Sequence, residues 1–199
     1  MELVNSLATF GTFVVIAATA IAALVQLRHA RSSNQIEALA ELRDGQEASD
    51  MQSAQLFVRH SLNEKLKDPA FRYQLANRHR GTVTAENQPS QNAIVRVANF
   101  YEVMGALVKN GLADKSLVLD IFSNQVLINW GLLSPVIALI RKAREDDSIW
   151  ENFEYLAVLS QDWETAHPKG AYPAGVRRMN LGYPWLEADK QYAASLAPA

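Results

Sequence analysis

The sequence predicts an all-α protein: one N-terminal transmembrane helix followed by a compact soluble bundle of about five to six helices. Three observations carry that expectation. Nineteen consecutive residues, Leu7 to Val25 (LATFGTFVVIAATAIAALV), hold no charge, and three threonines are their only polar side chains. The segments that follow repeat apolar residues at spacings of three and four, between capping residues. No stretch alternates at period two, so nothing in the chain reads as a strand.

The apolar run comes first. As a helix it is about 28 Å long, close to the roughly 30 Å hydrocarbon core of a bilayer. A cleaved signal peptide would need a basic n-region, yet Met1 to Ser6 carry only the acid Glu2. Arg28 and Arg31 follow the run directly, and Lys and Arg stay on the cytoplasmic side of a membrane. The expected location is therefore the cell inner membrane, single-pass, with the N-terminus outside and the C-terminal domain cytoplasmic. Ala8, Gly11, Ala18 and Ala22 share one helical stripe, a transmembrane packing face that would let a neighbouring helix approach closely.

The chain then divides into an N-terminal segment (1–27, span 7–25), a helical stalk and linker (28–49), an all-α domain (50–165) and a Pro/Gly/aromatic tail (166–199). Gln26 to Arg43 lacks Pro and Gly, so the first helix should run on and stop near Asp44-Gly45. Asp50 is a candidate N-cap for a helix from Met51 to about Leu66. Asp68-Pro69 is a cleaner start, a capping carboxylate followed by proline where its missing N–H is harmless. Residues 77–91 read as a loop. Ala93 to Lys109 has the best pattern, with Ile94, Val97, Phe100, Tyr101, Met104, Leu107 and Val108 forming a wide buried face that ends at Asn110-Gly111.

Asp114 should cap a short helix, and Gln125 to Ala143 a further one that Pro135 kinks or breaks at Ser134. Ser148 and Glu151 have capping-box spacing for a helix reaching about Thr165. From His167 onward the composition argues for a segment without regular structure, whose Tyr172, Tyr183, Trp185 and Tyr192 dock on the domain or on a partner.

Composition excludes several function classes. There is no cysteine, hence no disulfide, thiolate metal site or cysteine nucleophile. A net charge of −2 supplies no global field for nucleic acid, and no nucleic-acid partner is expected. His29, His60, His79 and His167 are scattered without metal-ligand spacing, and one Glu-x-x-His, Glu164 to His167, stands where a di-metal bundle needs two, so neither metal nor cofactor is expected. No phosphate loop, dinucleotide fingerprint or G-x-S-x-G is present, no catalytic residue is assigned, and the balance leans away from an enzyme.

Two clusters remain as candidate sites. Glu102 lies inside the most apolar helix, where a carboxylate needs a partner; Arg96, Arg141 and Arg144 are the candidates for a structural ion pair. Glu102, Arg141 and Glu154 could instead converge as a ligand-binding set. Arg72, Arg78 and Arg80, with His79, form the local basic patch, suited to lipid headgroups or a partner.

The ordered set Phe100-Tyr101-Glu102, Gly105, Gly111-Leu112, Trp130, Pro135, Arg141 and Asn152-Phe153-Glu154-Tyr155-Leu156 resembles a bacterial family labelled domain of unknown function 4760. The resemblance covers roughly residues 35–163 and implies an N-terminal span. It brings no activity with it. The function expected is a membrane-anchored helical interaction or accessory protein whose partners are the bilayer and another membrane protein or a second copy. The alternative is a membrane-anchored enzyme or small-ligand sensor using a polar pocket between helices.

Overall fold

The computed structural model describes residues 2–196, and side chains at residues 16, 19–27 and 33–196. Among the described residues there are eight α-helices, one 3₁₀ turn and no strand. In chain order they are α1 (Glu2–Glu47), α2 (Ser49–His60), α3 (Leu62–Lys65), α4 (Pro69–Ala76), the 3₁₀ turn Arg78–Arg80, α5 (Gln88–Lys109), α6 (Lys115–Arg144), α7 (Glu151–Ala166) and α8 (Leu186–Ser195). The chain forms two units, Met1–Pro168 and Lys169–Ala199.

In the first unit α5 packs against α2 and α7, and α6 packs against α7. Their shared core holds Val58, Leu62, Phe71, Leu75, Ile94, Tyr101, Phe122, Leu133, Phe153 and Leu156, all 2% exposed or less. Each such side chain contributes about 1.5–3 kcal/mol. Exposed pairs such as Arg43–Glu47 are screened by water and contribute little, so packing rather than surface charge holds the bundle. Tyr101 stacks on Phe153 (centroids 4.9 Å, 18° between planes), and Trp130 meets Phe153 edge-on at 5.1 Å. Residues quoted from three separate stretches of sequence thus form one aromatic cluster joining α5, α6 and α7.

Caps read from sequence behave unevenly. Asp68 accepts from Ala70 N at 2.8 Å with Pro69 at the first helical position, and Asp114 accepts from Leu117 N at 2.9 Å. Gly111, at φ 67°, ends α5 as expected. Gly45 is not a stop: it remains helical, α1 runs to Glu47, and a Cβ there would lie 3.5 Å from the Phe100 ring. Asp50 lies inside the first turn of α2 behind Ala48, and pairs with Arg96; Ser61 divides the expected helix into α2 and α3.

α5 starts at Gln88, five residues earlier than expected, with Pro89 in its first turn. The two helices expected after Asp114 are one, and Pro135 does not break it. Pro135 is on the exposed side of α6, so the Gly131 carbonyl it deprives of a donor also lies on a solvent-exposed turn. By length and composition α6 is, among the described residues, the one helix that passes as a membrane span. Its Val118, Phe122, Val126, Leu133 and Ile137 are nonetheless buried in the core.

The span read at residues 7–25 belongs to α1; the side chains at 7–15, 17 and 18, and with them Ala8, Gly11 and Ala18, lie outside the described residues, while Ala22 is exposed. Further along, Leu42 is buried in the core, Leu39 packs against it, and Gln35 Nε2 donates to Gly111 O at 3.3 Å. The stalk is therefore part of the bundle. In the second unit, α8 corrects the expectation of a wholly irregular tail. Tyr172, Tyr183, Trp185 and Tyr192 are exposed; Arg178 sits over the Tyr172 ring at 4.5 Å, and Tyr183 meets Trp185 edge-on.

Candidate functional site

The polar residues singled out by sequence meet at the start of α7. The first amides of a helix have no intrahelical partner and need one from outside. The Ser148 side chain does not supply it, contrary to the capping-box reading; the Glu151 amide donates to the Ser148 carbonyl at 3.2 Å. The Ser148 hydroxyl donates to Asp146 Oδ1 at 2.6 Å and its amide to the same oxygen at 3.0 Å, which holds the Asp146 carboxyl below its ordinary range. The residue before α7 is Trp150, in the left-handed region at φ 54°.

The cap comes from another helix. Glu102 Oε2 accepts from Phe153 N at 2.9 Å, and Oε1 accepts from Asn152 Nδ2 at 2.7 Å. A carboxylate at a helix N-terminus also complements the positive end of the dipole. Around it α5 presents a row. Asn99 Oδ1 accepts from Trp150 Nε1 at 2.8 Å, and Lys109 Nζ reaches Asn152 Oδ1 at 3.2 Å and Glu151 Oε1 at 3.4 Å. Between them lies Gly105, where a Cβ would stand 2.0 Å from Asn152 O. Only glycine lets the two backbones approach this closely.

Arg141 approaches the same turn from α6. Its Nε donates to Ile149 O at 2.8 Å and its Nη1 to Glu154 Oε2 at 2.6 Å, with the guanidinium side chain 16% exposed. Glu102, Arg141 and Glu154 are thus brought to one helical turn, where both Glu102 oxygens are taken and Arg141 keeps one buried nitrogen, Nη2, without a hydrogen-bond partner. The ion pair expected for Glu102 is not made: Arg96 pairs with Asp50, and Arg141 with Glu154. Both Glu102 oxygens are spent on the cap. The reason is geometric, since α7 offers amide donors nearer than any arginine.

Sequence reasoning missed Asn99, Asn152 and Trp150. Asn99 and Glu102 are polar at i, i+3 beside the apolar face of α5, which is the signal that could have found the row. A second buried polar contact sits beneath the joint: Asn129 Nδ2 donates to the Tyr101 hydroxyl at 3.0 Å. Burial pushes that phenol up to about 12, against Arg59 and the Asn129 hydrogen bond, which act the other way.

The basic patch divides. Arg72 Nη1 donates to Leu66 O at 2.6 Å and Lys67 O at 3.0 Å, closing the end of α3. Arg78 Nη2 donates to Asn92 Oδ1 at 2.7 Å, and exposed Arg80 contacts His79 at 3.3 Å. Among the described residues no three His, Asp or Glu side chains gather as a metal cluster. No curated protein and no solved structure matches the chain. The family Domain of unknown function (DUF4760) matches residues 13–163, which takes in part of α1 and all of α2 to α6, with α7 to Trp163. Its extent includes every residue of the α5–α7 joint, and the chain belongs to the DUF4760 family.

Proposed function

We propose that this chain is a single-pass, membrane-anchored accessory protein of a bacterial inner membrane. Its helical domain is an interaction module for another membrane protein or a second copy. The observation that carries this reading is α1. One unbroken helix links the uncharged N-terminal run to the bundle, and its described apolar side chains Ile16, Ile21, Leu24, Val25 and Leu27 are exposed. Such a surface in water would be a liability, and a bilayer removes it. The other end of the same helix is fastened to the domain through Leu39, Leu42 and Gln35. Arg28 and Arg31 set the expected orientation, with the domain inside.

The enzyme reading has less support, because the charged groups it would use cap and pin α7. The test exploits the absence of cysteine. Single-cysteine variants Asn5→Cys and Gln161→Cys are labelled with a membrane-impermeant maleimide in spheroplasts. The expected result is labelling of residue 5 in intact cells, of residue 161 only after permeabilisation, and retention of the chain in carbonate-washed membranes. Release by carbonate overturns the anchor; the opposite labelling pattern overturns the orientation.

A further inference from the structure

A cavity of about 300 Å³ opens where the 3₁₀ turn, α4, α5, the C-terminus of α6 and the turn before α7 meet. Leu75, Ile140 and Trp150 form apolar wall, Arg78 and Arg144 supply the charged lining and His79 an imidazole beside them, with no carboxylate among the lining residues. The volume falls at the lower end of small-molecule sites, which are mostly apolar with a few convergent polar groups.

Three features set this cavity apart from a solvated helix end. Arg78 Nη2 is held by Asn92, but Nη1 is buried with no hydrogen-bond partner. A buried unpaired donor is costly, and more so when charged. Arg144 makes no ion pair among the described residues, and Asp146, the acid that feels its charge, is held by Ser148. The Trp150 wall is kept at φ 54° by packing and by its bond to Asn99, a backbone state that is strained for a bulky residue.

We propose that this cavity binds a small amphipathic anion, its oxyanion on Arg78, Arg144 and His79 and its apolar part against Leu75, Ile140 and Trp150. Guanidinium forks match carboxylate and phosphate oxygens, and Arg78 and Arg144 bring two of them to one cavity. The apolar wall demands a hydrophobic portion, which excludes a bare inorganic ion as the preferred occupant. The site needs only the bundle, so it stands or falls separately from the membrane anchor. Two sources offer this chemistry: a soluble acid such as a short fatty acid, and an anionic lipid headgroup with its attached chain.

The experiment is calorimetric titration of the full chain in phosphatidylcholine nanodiscs with octanoate, octanol and inorganic phosphate. Octanoate should bind saturably, and more tightly than octanol or phosphate. Arg144→Gln, at an exposed position, and Arg78→Gln should each weaken octanoate about tenfold, the size of one charge-assisted hydrogen bond. Circular dichroism should show Arg144→Gln melting like the parent. Absence of saturable octanoate binding overturns the proposal. So does equal affinity for octanol or phosphate, or octanoate affinity unchanged in both variants. Adding phosphatidylglycerol to the discs separates the sources: competition with octanoate assigns the lipid headgroup, and its absence assigns a soluble anion.

Discussion

Glu102 illustrates how a side chain's role depends on what faces it. A carboxylate within an apolar helix demands a partner, and here two donors at the start of α7 provide one. Glu102→Ala leaves the Phe153 amide and Asn152 Nδ2 unpaired. It should lower stability by about 1–3 kcal/mol in urea unfolding, with Glu102→Gln keeping part of the loss back. The cause is a lost cap, not a stranded cation. Tyr101 yields a pH prediction. Its phenol titrates near 10 when unfolded and at about 12 when folded, so the neutral form is the one the fold favours. That contribution is fully present below pH 10 and is lost as pH rises through about 12. Over this window the melting temperature should fall more steeply in the parent than in Tyr101→Phe.

At the scale of the element, the α5–α7 crossing is set by one missing side chain. Gly105→Ala places a methyl against the Asn152 carbonyl, backbone that cannot move without displacing the Glu102 cap. The expected loss is at least about 1–3 kcal/mol, read from the shift of the denaturation midpoint. Pro135 is the opposite case, a local rule broken where water tolerates it. Pro135→Ala restores an amide donor within α6 and should stabilise the chain by about 1–2 kcal/mol, less than the full helix penalty because proline also restricts the unfolded chain. Both outcomes follow from position: residue 105 faces a neighbour's backbone, residue 135 faces outward.

For the whole molecule, the division of α1 between an exposed apolar part and a packed part makes a further prediction. A chain starting at Ser33 keeps Gln35, Leu39 and Leu42 and should remain folded and soluble. One starting at Ala48 exposes the core beneath Leu42 and should melt several degrees lower, as measured by circular dichroism. Helix content, the caps at Asp68 and Asp114 and the end at Gly111 were legible in the sequence, because apolar spacing and caps act over one or two turns. The polar residues of the candidate joint were legible as anomalies: Glu102, Arg141 and Glu154 stood out by type. Their partners were not, since Glu102 meets residues some fifty positions away. The capping box failed for a local reason: the Ser148 hydroxyl donates to Asp146, and the Glu151 amide donates to the Ser148 carbonyl instead. Local pattern therefore determined most of the helical segments, though not α8 or the first turn of α5, and which residues need partners. Tertiary packing alone decided which amide receives Glu102, why residue 105 must be glycine, and that Arg78 and Arg144 line one cavity, because these depend on contacts between helices far apart in the chain.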